Sequence, residues 1–232
     1  MNLRLSVSFS ALALAASCAG PQTQVSTVIS QAEQQAMTPQ QVVAMLQQGN
    51  ERFVAGDTTA RDYGAQVEAS ASGQYPMAAI LSCVDSRVPV EEVFDIGIGD
   101  AFVARVAGNF ENVDILGSME FACKVSGSKV ILVLGHSSCG AVKGAVDAVE
   151  LGNITPMLAN IEPAVAKVAA RGGERTSKNK DFVAASVHEN VLQTVADIRA
   201  QSPILKEMED NGEIAIVGAI YDLETGKVEF LD

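Results

Sequence analysis

The chain has 232 residues, 48% of them hydrophobic, which suffices for a packed core and for one α/β domain or two small ones. Its formal charge is −12, from 16 basic and 28 acidic residues with no Lys/Arg cluster. The phosphate-neutralising footprint of a nucleic-acid binder is therefore missing, nucleic acid is not expected as a partner, and the charge serves solubility.

The amino terminus differs in kind from the rest of the chain. Arg4 precedes an apolar run over residues 5–16, followed by Ser17, Cys18, Ala19, Gly20 and Pro21. This is the pattern of a signal peptide, over 1–17, and the run is shorter than the roughly 20 residues of a permanent membrane span. The expected location is outside the cytoplasm, in a periplasm. The Leu14–Cys18 stretch resembles a bacterial lipobox, with Leu14 one place further from the Cys than is usual; Cys18 would then be lipidated and attach the protein to a membrane. The alternative is an ordinary cleaved signal with Cys18 a bystander.

Residues 18–37 are rich in Gln, Ser and Thr and read as a polar tether or loosely ordered helix, leaving 38–232 as one compact domain. Thr38 and Pro39 predict a capped helix start, and Val42, Val43, Leu46 and Phe53 give it an apolar stripe ending near Gly49 or Gly56. Residues 58–75 predict a surface connection with at most one short helix. Residues 77–82 read as a buried strand, and Pro89 opens a short helix with Glu91 and Glu92 in its first turn. A second buried strand is expected over 101–106 and a helix over 115–125, with Leu116, Met119 and Cys123 at core spacing.

Residues 129–134 predict the third strand. Ser137 or Ser138 would cap a helix running from Cys139 to about Leu151, and two further amphipathic helices are expected over 156–170 and 181–200. Residues 213–221 and 227–231 flank a turn at Asp222–Gly226 and predict a carboxyl-terminal hairpin. Strands alternating with helices predict an α/β fold with a central, mainly parallel sheet flanked by helices, an N-terminal helix and a C-terminal hairpin.

Two stretches at predicted strand ends carry the chemistry: Cys83-Val84-Asp85-Ser86-Arg87 and His136-Ser137-Ser138-Cys139-Gly140. Ligands in a parallel sheet bind outside the carboxyl ends of the strands, so these stretches can meet there. Cys83, His136 and Cys139 are zinc-ligand types, and the fourth position is closed by Asp85 or left to water. Residues two apart on a strand share a face, so Cys83, Asp85 and Arg87 can look into one crevice, with Arg87 holding the Asp85 carboxylate. Cys139 falls in the first turn of a helix, where thiolate is favoured. Export leaves open a Cys83–Cys139 disulfide, although a bridge would leave His136 and Asp85 unexplained. A Rossmann-like binding module is not supported, because Gly97-Ile98-Gly99 lacks the third glycine of a dinucleotide fingerprint. His188 is too isolated to be read as a ligand.

The segments CVDSRVP, FVARVAGN and GHSSCGAVKGA together resemble the β-class carbonic anhydrases, over roughly residue 38 to the carboxyl end. The resemblance implies one zinc per chain on Cys83, His136 and Cys139, with Asp85 and Arg87 as a catalytic dyad. It further implies reversible hydration of carbon dioxide to bicarbonate and a proton by a zinc-bound hydroxide. Partners would be carbon dioxide or bicarbonate and a second copy of the chain, in a homodimer or higher oligomer with its active sites at the interface. Gln74 matches a substrate contact given to the partner's site, Phe102 an apolar wall, Phe121 a position often held by Tyr, and Gly140 a backbone N–H donor to substrate. Some members close a regulatory bicarbonate pocket with a Trp three residues before the first Cys. Here that residue is Ile80, and the chain has no Trp, so no such pocket of the usual form is expected; Arg105, which joins it in those members, is also present in members that lack it.

Two thiolates neutralise the zinc charge, so the bound-water pKa should lie above that of a three-histidine site and activity should rise with pH. Two other readings stay open: a structural or regulatory zinc protein with a closed site that includes Asp85, and a hydrolase of another small carbon substrate such as carbon disulfide.

Overall fold

A computed structural model describes residues 27–231. The expected leader over 1–17 and Cys18 lie outside the described residues. Among those described, no helix is long and apolar enough to cross a membrane.

Part of the stretch expected to be a tether is an ordered helix, α1 (Gln31–Ala36). A Ser30/Glu33 capping box starts it, and the amide of Gln34, only 3% exposed, donates to the Pro76 and Ser126 carbonyls at 2.7 and 2.8 Å. Composition hid this, because a polar residue docks as firmly as an apolar one when both its donors are satisfied. Helix α2 (Pro39–Ala55) begins at Thr38 with a capping box to Gln41 and ends at Gly56 in the left-handed conformation. The connection after it holds α3 (Tyr63–Ser70).

Five strands form one sheet in the order β2-β1-β3-β4-β5: β1 (Ala78–Ser82), β2 (Ala101–Arg105), β3 (Val130–His136), β4 (Ala215–Tyr221) and β5 (Val228–Phe230). The first four are parallel and β5 pairs antiparallel with β4, so the predicted fold class and hairpin are both present. Strand alternation sorts the core into two layers. Ala78, Ile80, Leu132 and Leu134 face Val42 and Leu46 of α2 and the short helix α4 (Val90–Val93). Ala79, Leu81, Ile131 and Val133 face α5 (Val113–Glu120), the π-helical turn Phe121–Val125, and the long α9 (Lys180–Gln201). At Gly135 the backbone of β3 lies so close to α9 that a Cβ would sit 2.5 Å from a Val191 methyl, which lets the helix seat directly over the strand end.

Four expectations are corrected. Strand β2 is the edge of the sheet and only half-buried, because in a single chain nothing covers its outer side. The helix after Cys139 is short, α6 (Gly140–Val146), and neither serine caps it: Ser137 Oγ instead accepts from Leu223 N at 2.9 Å. The helix expected over 156–170 is two, α7 (Ile154–Leu158) and α8 (Glu162–Ala170), since Pro163 lacks the N–H and has the bulk to break a continuous one. Finally, α10 (Pro203–Asp210) lies outside the predicted elements, although Ser202 caps it and Pro203 occupies its first position.

Candidate metal centre

Strands β1 and β3 are parallel neighbours with Ser82 opposite Leu134. Cys83, just past β1, and His136, the last residue of β3, therefore emerge at the same carboxyl edge of the sheet. The chain then turns through Ser138, at a φ of 56°, into Cys139, the N-cap of α6. One ligand atom from each of Cys83, His136 and Cys139 lies within 4.8 Å of the others, and all three residues are buried.

This geometry suits a metal. The two sulfurs are 4.0 Å apart, and Cys83, Cys123 and Cys139 are free thiols, so the disulfide alternative is not formed. Two thiolates each about 2.3 Å from one tetrahedral zinc would lie about 3.8 Å apart. His136 Nδ1 lies 3.0 Å from the Ser137 carbonyl, which can only accept; Nδ1 therefore carries the proton and Nε2 presents its lone pair. Nε2 is buried without a hydrogen-bond partner, a cost that metal ligation removes. The donor set of two thiols and an imidazole is a zinc set.

The expected thiolate preference of Cys139 is not that of the residue alone. Contact with Cys139 is the main influence holding the Cys83 thiol far below its ordinary range, with burial opposing it. The same contact, burial and the charge on Cys83 push Cys139 up, although the N–H groups of Val142 and Ala141 pull it down. Charge on one sulfur thus opposes charge on the other, and a dication bound between them would offset both.

Burial alternates past the end of β1: Cys83 is buried, Val84 exposed and Asp85 half-buried, so the extended geometry persists as far as Asp85. Arg87 grips that carboxylate with its backbone N–H at 3.0 Å, Nε at 2.9 Å and Nη2 at 2.8 Å. The Arg87 hydrogen bonds hold the Asp85 carboxyl well below the usual carboxylate range, against a smaller opposing effect of burial. Asp85 Oδ2 lies 3.8 Å from His136 Nε2, beside the three-ligand group and not within it.

Arg105, given no role at this site by the sequence, holds the same loop from outside. Its Nε donates to the Cys83 carbonyl at 2.8 Å and its Nη2 to the Asp85 carbonyl at 2.6 Å.

The substrate contacts expected from the resemblance lie in different places. Gly140 opens α6, next to the ligand Cys139, with free space at its Cα. Phe102 and Phe121 pack edge to face at 6.0 Å in a groove of about 760 Å³ beside β2, whose lining includes Val113 but none of the three metal ligands. Gln74 borders a separate crevice of about 200 Å³ with Ser70 and Tyr75. Within one chain, Gln74, Phe102 and Phe121 are not gathered with the metal ligands. Cys123 is core, its thiol pushed up to about 12 by burial, and His188 is exposed.

Residues 78–228 match the family model described as carbonic anhydrase. Carbonic anhydrase 2 of Mycobacterium tuberculosis (strain CDC 1551 / Oshkosh) is 39% identical over 193 residues, covering 81% of this chain and 90% of that protein. The carbonic anhydrase of Mycolicibacterium smegmatis is 37% identical over 190 residues, covering 79% and 89%. Among solved structures, the Coccomyxa β-carbonic anhydrase in complex with acetazolamide superposes with a TM-score of 0.65 at 25% identity, covering 82% of this chain and 85% of that one. The tetrameric β-carbonic anhydrases of Sordaria macrospora share the fold, with a TM-score of 0.62 at 22% identity, covering 72% and 90%.

Proposed function

The chain belongs to the β-carbonic anhydrase family, and on that premise we propose that it hydrates carbon dioxide reversibly with one zinc per chain held by Cys83, His136 and Cys139. The observation that carries this reading is the pairing of three converging ligand atoms with a carboxylate that Arg87 restrains beside them. Zinc, when bound, supplies a Lewis acid that brings the pKa of a coordinated water down toward neutrality.

The chain's own residues do the rest. His136 is fixed in one tautomer by Ser137 and offers a single lone pair. Asp85, kept ionised, can only accept, so it orders the proton of the attacking oxygen and leaves that oxygen's lone pair free for the carbon. Arg87 and Arg105 fix where that acceptor stands, one through its carboxylate and the other through its backbone. A closed site with Asp85 as a permanent fourth ligand would require it to give up hydrogen bonds from Arg87, which disfavours a purely structural role. Phe102, Phe121 and Gln74 reach substrate in this reading only across an interface with a second copy, so the working unit is at least a homodimer.

The test is stopped-flow carbon dioxide hydration from acid to alkaline pH, with zinc measured on the same sample. About one zinc per chain and a rate that rises with pH are expected. Cys83→Ala and His136→Ala should each lose both metal and rate. A zinc-loaded wild-type protein without hydration activity across that range would sink the proposal.

A further inference from the structure

Gly108 donates its backbone N–H to Cys83 Sγ at 3.4 Å. This donor exists because of an unusual turn. Asn109 N–H bonds the Val106 carbonyl at 3.0 Å, closing a four-residue turn in which Gly108, at the third position, has a φ of +86°. Ala107 before it is not in the left-handed region, so the turn is of type II. Such a turn flips its central peptide, which points the Gly108 N–H out of the turn and toward the sulfur. Glycine is favoured here by its φ, and a Cβ would also displace Ile161 Cδ1, which would lie 2.4 Å from it.

The turn is anchored at both ends. Val106 N–H bonds the carbonyl of Ser82, the residue before Cys83, at 3.1 Å. The Gly108 carbonyl accepts from Asn190 Nδ2 at 2.8 Å, a bond between residues 82 apart in sequence. Asn190 is 1% exposed on α9, between the buried Val187 and Val191.

We propose that Asn190 is a positioning residue for the metal ligand Cys83, acting through the Val106–Asn109 turn, so that α9 helps to set the affinity of the site for zinc. The inference rests on the zinc reading of the site. An N–H donated to a ligand sulfur fixes the direction of its lone pairs and stabilises its charge, and loss of such an outer partner typically costs about 10- to 100-fold in metal affinity. Without Asn190 the Gly108 carbonyl is left buried and unpaired, and the turn gains a reason to rotate toward another donor.

The experiment compares wild-type protein with Asn190→Asp, which keeps the shape and replaces the donor by an acceptor, and with Asn190→Ala. Zinc affinity is read by chelator competition, and the sulfur-to-metal charge-transfer band is read after cobalt substitution. Gln34→Ala serves as the control for plain destabilisation, since it removes a buried amide on α1, far along the chain from the ligands. Both Asn190 variants should lose about 10- to 100-fold in zinc affinity and shift the cobalt band. Gln34→Ala should lower the unfolding midpoint and leave the band in place. Wild-type affinity and an unmoved band in the Asn190 variants would overturn the inference while leaving the zinc reading intact; a wild-type chain that takes up no zinc would overturn both. If neither Asn190 variant folds, cadmium-113 substitution of the wild-type protein decides. A scalar coupling from the metal to the Gly108 amide proton is expected, and its absence would overturn the proposal.

Discussion

Asp85 is the residue whose state decides what the metal centre can do. Its folded pKa is depressed by Arg87, so the carboxylate stays charged wherever the enzyme works, and the stability their pairing adds is complete above the unfolded carboxylate value of about 3.9. That stability shrinks as the pH falls below that value and is gone once the pH has passed through the lower folded one. A rise of activity toward alkaline pH therefore cannot be Asp85 titrating. Asp85→Asn should keep about one zinc per chain while the hydration rate drops by about 100-fold or more, since an amide can turn a donor toward the attacking oxygen. Arg87→Gln should also keep zinc and lose rate, because the freed carboxylate starts 3.8 Å from His136 Nε2 and can reach the metal. Parallel rate and zinc measurements check both, and full activity in Asp85→Asn would remove that residue from the mechanism. The pairing was readable from period-two spacing along one strand end. The role of Arg105 was not, because it reaches over from β2, and a strand pairing is not written in either strand alone.

At the scale of elements, strand ends and helix caps were readable wherever a cap residue and an apolar pattern coincided, as at Thr38 and Pro39. The α7–α8 break was hidden because apolar spacing continues across Pro163, and α10 because its start comes directly after the end of α9. Least readable was the clamp that holds the α2–α3 connection to the turn after α4. Asp95 lies just after α4, has a φ of 47° and a fully buried side chain, and receives Arg52 Nε at 2.5 Å, Thr59 Oγ1 at 2.7 Å and Arg61 Nη1 at 2.6 Å. Burial alone would raise its pKa; the hydrogen bonds from Arg52, Thr59 and Arg61 outweigh that and leave it lowered. Asp95→Asn tolerates the same backbone but leaves two guanidinium groups without their counter-charge. Because Arg52 is 39% exposed, the cost should fall at the low end for a broken buried pair, about 3 kcal/mol in urea unfolding at neutral pH. The sign comes from the depressed pKa: the wild-type advantage is full above the unfolded carboxylate value and shrinks as pH falls below it. A difference under about 0.5 kcal/mol at neutral pH, within the range of ordinary surface substitutions, would show that the clamp is not what holds this segment.

The whole molecule turns on strand β2. Its sequence reads as a buried strand, yet in one chain it is a half-buried edge running Ala101, Phe102, Val103, Ala104, with no charge until Arg105. Soluble proteins rarely leave so apolar an edge unguarded, and beside it Val113 is 80% exposed and Phe121 50%. An apolar run records only that its surface is removed from water, whichever chain removes it. That is why the sequence could show the burial and not its source. The same surface carries Phe102 and Phe121, which stand apart from the metal ligands of their own chain. The proposed dimer would account for both facts if a second copy covers the groove and the aromatic pair meets the metal centre across the interface. Val113→Arg tests it without touching a ligand or an expected substrate contact, since a charge at that rim must be desolvated when the copies meet. Light scattering should show the variant shifted to monomer, zinc content should stay near one per chain, and hydration should fall with the dimer fraction. A Val113→Arg monomer that hydrates carbon dioxide at the wild-type rate would mean that each chain holds a complete site, and Phe102, Phe121 and Gln74 would then have no part in binding substrate across an interface.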